Sequence, residues 1–229
     1  MRRNKIGRSA DYQKIPTGGV PPDGFTQPTQ ILTESGTWTC PRSGTYRVTC
    51  IGAGGQSICG GSQSGGGGAG GIAESILPIQ KGSNYILTLD SAVTSFGNLL
   101  STNAGSNASD SIINGAYSVY SGTGGGASGG NIGNYQGGDG KYYLSNDSYT
   151  KIIGGDTNSS SKYGGISGGV ISVKFIKATY EDFTEITQFN PVSCNNKLPF
   201  GAGGWQTSDY DARYPKTFKS AAIIIEYLK

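Results

Sequence analysis

Residues 37–55 read TWTCPRSGTYRVTCIGAGG, and this stretch decides the fold class. It contains two segments in which apolar and polar residues alternate with period two, a pattern that predicts β-strands. The Pro-x-x-Gly sequence at 41–44 predicts a turn between them, because proline presets φ and glycine closes the turn. On the second strand, Tyr46, Val48 and Cys50 fall on one face. The stretch therefore predicts strand, turn and strand, followed directly by glycine.

Glycine tracts recur along the chain. Eleven of the twenty residues from 52 to 71 are glycine, and so are ten of the nineteen from 122 to 140. A sparser tract spans 154–169, and a short one spans 201–204. Two uses are open: flexible linkers, or close-packed helices of the polyglycine-II type with three residues per turn. We favour packed helices, because three linkers inside one set of strands would cost much loop-closure entropy.

Strand-like segments alternate with these tracts. No segment shows helical periodicity over two turns; residues 179–189 are the best helical candidate, and a loop fits them equally well. The run at 221–228 is rich in β-branched residues, which predicts a buried core strand. We predict an all-β fold, a β-sandwich or jelly-roll-like domain with interleaved glycine-rich, polyglycine-II tracts. This domain would span 31–229, with an insertion at 179–219.

Residues 1–30 are predicted to form an extended N-terminal arm. The prolines and glycines between 15 and 24 cannot sustain a helix or a strand ladder. Two interpretations are open, a free tail or a segment that docks the domain on a larger assembly. In the second, the candidate docking contacts are the basic residues Arg2, Arg3, Lys5 and Arg8.

The composition argues against several classes of protein. The net charge of +3 over 229 residues provides no strong field for non-specific nucleic-acid binding. No apolar run approaches the ~20 residues of a membrane span. The basic N-terminus is not followed by the apolar region of a secretion signal. We expect no nucleic-acid partner, no membrane insertion and no signal peptide.

Catalytic and metal chemistry find little support in the sequence. Histidine, the commonest general base and metal ligand, does not occur. The GxSxG pattern matches around Ser128 and Ser167, but neither match has the strand-to-helix setting of a nucleophile elbow. The closest acidic groupings, at 181–182 and 209–211, are typical of solvated loops rather than of a glycosidase pair. We expect a non-enzymatic protein without cofactor or metal.

The sequence has four cysteines, Cys40, Cys50, Cys59 and Cys194. No two of them have the CxxC spacing, so a zinc site is not expected. Cys40 and Cys50 are predicted to lie on facing strands. A cross-strand disulfide and two buried free thiols are both open there. Without a secretion signal, we favour the free thiols.

Four motifs in order carry a resemblance to a known family. Residues 38–48, in the pattern W-x-x-P-x-x-G-x-Y-x-V, lead into the IGAGG sequence of 51–55. Residues 82–89 lie where the family has a G-x-x-Y-x-(I/V)-x-V strand and carry leucine at its last two apolar positions. Residues 94–100 resemble an S-F-G-x-x-L strand, and 222–227 resemble a closing strand. Together they resemble the glycine-rich domain found at the ends of bacteriophage tail-fibre and other virion-appendage proteins.

The resemblance covers about residues 30–229 and implies a role on the virion. Such a protein would be a tail or head fibre or its tip, made in the host cytoplasm and commonly assembled as a homotrimer. It would bind other virion proteins through residues 1–30 and contribute to attachment to a host-surface glycan or protein. The alternative is a purely structural virion component, such as a collar, baseplate or capsid decoration, without receptor binding.

A candidate receptor surface consists of aromatic residues among glycine, asparagine, serine and aspartate. This mixture resembles antibody paratopes and suits stacking on sugar rings. For each residue the competing interpretation is packing in the core or at a trimer contact. The candidates are Tyr135, Tyr142, Tyr143, Trp205, Tyr210 and Tyr214.

Overall fold

A computed structural model of the chain describes residues 29–56, 58–60, 63–113, 116–144, 149–164, 170–174, 185–190, 200–201 and 221–229. Most of the predicted arm, including Arg2, Arg3, Lys5 and Arg8, lies outside the described residues. So do most of the predicted insertion and three of the candidate receptor residues, Trp205, Tyr210 and Tyr214.

The described residues form strands joined by turns and extended segments, with no helix among them. The strands run, in chain order, Thr29–Leu32 (β1), Gly36–Thr39 (β2), Gly44–Ile51 (β3), Ile58–Gly60 (β4), Gln63–Gly65 (β5), Ile72–Ile79 (β6), Asn84–Leu89 (β7), Val93–Phe96 (β8), Leu100–Asn103 (β9), Ser109–Ile113 (β10), Ala116–Tyr120 (β11), Ala127–Ser128 (β12), Gly133–Tyr135 (β13), Lys141–Leu144 (β14), Tyr149–Ile153 (β15), Val170–Lys174 (β16), Glu185–Asn190 (β17) and Ala222–Tyr227 (β18).

Ten of these strands form two antiparallel sheets that pack face to face. Sheet 1 has the order β1-β18-β3-β6-β13, and sheet 2 has the order β12-β9-β8-β7-β2. Side chains from both sheets meet in a single hydrophobic core. The predicted all-β fold is confirmed, and it takes the form of a β-sandwich.

Aromatic side chains fill the centre of this core. Tyr46, Val48 and Cys50 of β3 all face it, as the alternating pattern predicts. Trp38 of β2 approaches from the opposite sheet, and its ring centroid lies 5.7 Å from that of Tyr46 and 5.8 Å from that of Phe96. Offset and edge-to-face arrangements at these distances are favourable beyond the burial of area. The first motif of the sequence therefore spans both sheets.

The turn at 41–44 connects the two sheets and does not close a hairpin. β2 pairs with β7, whereas β3 pairs with β6 and β18. A hairpin would set Trp38 and Tyr46 side by side on one sheet. By crossing between the sheets, the chain brings both rings into the core from opposite sides. The Tyr46 hydroxyl donates a hydrogen bond of 2.5 Å to the carbonyl of Arg42, which helps to hold this corner.

Two further expectations are corrected. The segment 94–100 is not one strand: β8 ends at Phe96, a turn follows with Gly97 at a φ of 56°, and β9 begins at Leu100. A positive φ is readily adopted only by glycine, so this residue ends the strand. The helical interpretation of 179–189 is wrong where it overlaps β17, which pairs with β16.

Sheet 1 is covered on its outer face as well. Ile51, Ile72 and Ile224 form a second cluster there, with four partly buried side chains packed against it: Ile31, Tyr135, Tyr163 and Phe200. Burial on both faces explains why β18 has a nearly continuous apolar sequence rather than an alternating one. The prediction of a buried closing strand is confirmed.

Cys40 and Cys50 are both free and buried, which confirms the favoured thiol state for these two residues. The Cys40 thiol donates to the Arg42 carbonyl at 3.0 Å. Burial raises the pKa of the Cys50 thiol from 9.0 to about 12, because a thiolate would lose its solvation in the core.

The buried Cys50 thiol makes the stability depend on alkaline pH. The thiol ionises first in the unfolded chain, so its contribution is complete below pH 9 and is lost as the pH rises towards 12. Between pH 9 and 10, we expect the free energy of unfolding to fall by about 1 kcal/mol through this group. Urea unfolding of the parent and of Cys50→Ala across this range measures it. The variant should be less stable overall but should lose less stability over this interval; an equal loss in both proteins would contradict the assignment.

Candidate binding site: the glycine bundle

Three excursions of the chain leave the same end of the sandwich. Each has an outgoing segment, a β-hairpin and a returning segment. Residues 52–71 carry the hairpin β4–β5, residues 104–126 carry β10–β11, and residues 136–157 carry β14–β15. The third hairpin is part of a four-stranded antiparallel sheet with the order β14-β15-β16-β17. The hairpins therefore lie beyond the glycine segments, on the side away from the sandwich.

The glycine segments pack as six around one, and we call this assembly the glycine bundle. Its centre is the segment 66–71. The amides of Gly68, Ala69, Gly70 and Gly71 donate to Ser106, Gly138, Gly201 and Asn103, at 2.7 to 3.1 Å. Carbonyls of the same segment accept from Gly52, Gly55, Gly122, Gly125 and Gly155. The surrounding segments are 52–56, 103–108, 121–126, 136–140, 154–157 and 200–201.

The hydrogen bonds between segments repeat every three residues. Gly52 and Gly55 donate to Gly71 and Gly68 of the central segment, and Gly122 and Gly125 donate to its residues 66 and 69. Three residues per turn is the period of polyglycine-II and polyproline-II helices. The packed interpretation of the tracts is therefore right for these segments, and the flexible-linker interpretation is wrong there.

Glycine is required in the bundle because the backbones approach one another closely. A Cβ added at Gly68 would lie less than 3.0 Å from the backbone of Thr123 and Gly124. The same holds for one at Gly70 against Gly52 and Ala53. Such approaches leave no space for a side chain, which is the physical reason for the composition of the tracts.

An ionic contact fastens residues 158–164, which follow the third excursion, to sheet 1. The Glu74 carboxylate of β6 accepts from the Ser161 hydroxyl at 2.8 Å and from the Lys162 amide at 3.0 Å. The Lys162 ammonium lies 2.5 Å from the Glu226 carboxylate of β18. Burial, and then the nearby Glu226, raise the pKa of Tyr163 above its ordinary value. The segment 158–164 is thereby held against the outer face of the sheet.

The chain enters the sandwich at the end opposite the bundle. On β18, Ala222 pairs with Ile51 beside the bundle, whereas Tyr227 pairs with Tyr46 at the far end. Thr29 pairs with Glu226, so β1 begins at this far end, which we call the root pole. The Lys229 carbonyl also lies there and accepts from Thr45 at 2.7 Å. The hairpins and the first described residue thus lie at opposite poles.

The candidate aromatic residues do not form one cluster in the described part of the chain. Tyr135 of β13 is partly buried against the isoleucine cluster on the outer face of sheet 1, which fits its packing interpretation. Tyr142 and Tyr143 lie on β14, in the hairpin of the third excursion, opposite Ile152 and Lys151. The structure therefore separates Tyr135 from the two hairpin tyrosines.

A lateral cleft of about 840 Å³ lies where the bundle meets the sandwich. Its two walls are the neighbouring bundle segments 52–56 and 103–108. The rest of the lining comes from residues 89–92 at the β7–β8 turn, from Thr33 of the β1–β2 connection and from Ala221 just before β18. Our sequence interpretation missed it, because residues from five separate stretches of the chain build it. The local signal was the presence of polar residues at Gln56, within the first tract, and at Ser106 and Asn107, in a short segment outside the tracts.

The described residues show no group of three or more cysteine, aspartate and glutamate side chains arranged to hold a metal ion. Among the same residues, no helix has the length and apolar character needed to cross a membrane.

Two adjacent glycines provide a matched test of the bundle. A Cβ at Gly125 would lie 2.7 Å from the Ala104 carbonyl oxygen, whereas at Gly126 the nearest atom, Nδ2 of Asn103, lies at 4.0 Å. We expect Gly125→Ala to lower the free energy of unfolding by about 1–3 kcal/mol through overpacking. Gly126→Ala should change it by less than about 0.5 kcal/mol. Urea unfolding measures both, and equal effects would contradict the packing.

No protein-family model matches this chain, and a search of curated proteins finds no match.

Proposed function

We propose that this protein is a bacteriophage virion appendage protein, a tail or head fibre or its tip, that contributes to attachment to the host surface. Residues 1–30 would join it to other virion proteins, and three copies would assemble. The resemblance of the sequence motifs to virion-appendage proteins is one support. The observation that carries the proposal is the placement of the chain entry and the hairpins at opposite poles.

The placement of the chain entry and the hairpins at opposite poles suits an attachment protein. Thr29 begins β1 at the root pole, so the preceding residues join the domain at that end. The hairpins β4–β5, β10–β11 and β14–β15 lie beyond the bundle at the other end. A protein fixed to a particle by its root would present these hairpins outward. Recognition residues commonly occupy loops held by a rigid scaffold, and the bundle supplies such a scaffold.

Sheet 2 of the sandwich presents an uncharged surface. The five strands of sheet 2 contain no aspartate, glutamate, lysine or arginine, and only 14% of all residues are charged. Thr37 and Thr39 are exposed on β2, and Ile86 of β7 is 69% exposed. A neutral surface rich in hydroxyl groups suits packing against neighbouring subunits or carbohydrate without desolvation of charges.

The tyrosines of β14 provide the test of attachment. The labelled full-length protein should bind cells of a susceptible host. The double variant Tyr142→Ser/Tyr143→Ser should bind these cells with an affinity at least about tenfold lower, because tyrosines are frequent hot spots of binding. Ile132→Ser is the control, since Ile132 is an exposed apolar residue between β12 and β13, outside the strands of sheet 2 and outside the hairpins. Circular dichroism checks that each variant is folded.

Cryo-electron microscopy of the intact particle distinguishes attachment from a purely structural role. A distal trimer with residues 1–30 at its root and the hairpins free is the expected result. A position within a collar or shell, with the hairpins packed against other subunits, would contradict attachment and favour the structural alternative. Host binding that is equal in the tyrosine variant and the parent would contradict the assigned surface.

A further inference from the structure

The lateral cleft lies where one more segment would extend the hydrogen-bonding pattern of the bundle. The amides of segment 103–108 point in three directions in turn. Asn103 and Ser106 donate to segment 121–126, whereas Gly105 and Ala108 donate to segment 52–56. The remaining direction is that of Ala104, whose amide donates to the Ala92 carbonyl at 2.8 Å. The β7–β8 turn therefore supplies one carbonyl at a position outside the six-membered ring.

Asn107 follows Ala104 by three residues and shares its direction. Because the direction of the backbone amides repeats every three residues in this segment, the Asn107 amide points the same way as the Ala104 amide, one turn further along. Asn107 lines the cleft, and among the described residues its amide has no hydrogen-bond acceptor. The Asn107 side chain is engaged elsewhere, accepting from the Gln56 amide at 2.6 Å. The cleft thus exposes an amide in register with one that is already bonded.

The two walls of the cleft have the spacing of neighbouring bundle segments. Segments 52–56 and 103–108 are joined by hydrogen bonds of 2.9 Å from Gly105 to Ala53 and of 2.7 Å from Ala108 to Gln56. In close-packed three-residue helices, the groove outside two adjacent helices is the next position of the lattice. Ala92 occupies the beginning of that position, and the rest is the open cleft.

We propose that this cleft binds an extended, glycine- and proline-rich peptide segment of a partner protein in the polyproline-II conformation. The peptide would lie as one more segment beside 52–56 and 103–108, with a carbonyl accepting from Asn107. Where it faces the two walls it must carry glycine, for the reason that the inner segments do. Asp90 is the one charged residue of the lining, so the peptide is neutral or weakly basic.

Two synthetic peptides test this with the full-length protein. Acetyl-(Gly-Gly-Pro)3-amide places its prolines on one side of a three-residue helix and glycine on the two sides that face the walls. Acetyl-(Ala-Ala-Pro)3-amide has the same period but carries a Cβ on those sides. By NMR, at peptide concentrations up to about 1 mM, the first peptide should shift the Asn107 amide resonance and slow its hydrogen exchange, and the second should not.

A pair of variants separates the amide of Asn107 from its side chain. Asn107→Pro removes the amide while keeping a φ that suits the segment, and Asn107→Ala loses the same side chain but keeps the amide. Binding is followed in both variants by the shift of the Ala104 amide resonance, which each of them retains. We expect the alanine variant to bind the glycine peptide and the proline variant to bind about tenfold more weakly or not at all. Ser91→Trp, at the exposed rim of the cleft, should block binding without altering the bundle.

Equal effects of the two peptides, no effect of either, or equal binding by Asn107→Pro and Asn107→Ala would overturn the proposal. Loss of peptide binding would leave the proposed virion role untouched. A protein with no place on a virion could equally bind such a peptide. The two proposals therefore fail independently.

Discussion

The close approach of backbones in the glycine bundle is the constraint on which the rest of the structure depends. Segment 66–71 is surrounded on all sides by other segments and is hydrogen-bonded to six of them. A side chain at most of the contacts would collide with a carbonyl, so the tracts must be glycine. The loss of conformational freedom by so many glycines is costly on folding. Backbone hydrogen bonds between neighbouring segments, in a setting that excludes water, compensate for this cost.

The sandwich and the bundle stabilise each other because the same chain segments continue from one into the other. β3 leads into residues 52–56, and residues 66–71 lead into β6, so two adjacent strands of sheet 1 hold an outer segment and the central segment in register. The ionic contact of Lys162 with Glu226 fastens the segment that follows the third excursion to the same sheet. The hairpins are therefore carried on a support with few places to bend, and this rigidity suits the presentation of a binding surface.

Much of the fold could be predicted from the sequence, because its signals are local. The alternation of Tyr46, Val48 and Cys50 placed one strand face in the core, and the apolar run of β18 indicated burial on both faces. The crossing between sheets at 41–44 was missed, since a Pro-x-x-Gly turn has the same sequence whether it closes a hairpin or joins two sheets. The sequence also indicated packed glycine tracts, but the lateral cleft and the contact of Glu74 with residues 161–162 depend on segments far apart in the chain. Local patterns contain no information on such pairings.

Hydrogen exchange of the amides in segment 66–71, measured by NMR on the full-length protein, tests the central claim most directly. If this segment is the hydrogen-bonded centre of the bundle, the amides of Gly68, Ala69, Gly70 and Gly71 should exchange as slowly as those of the core strand β3, although their sequence is that of a flexible linker. Exchange near the rate of an unstructured peptide, while β3 remains protected, would show that the tracts are linkers and would contradict the account.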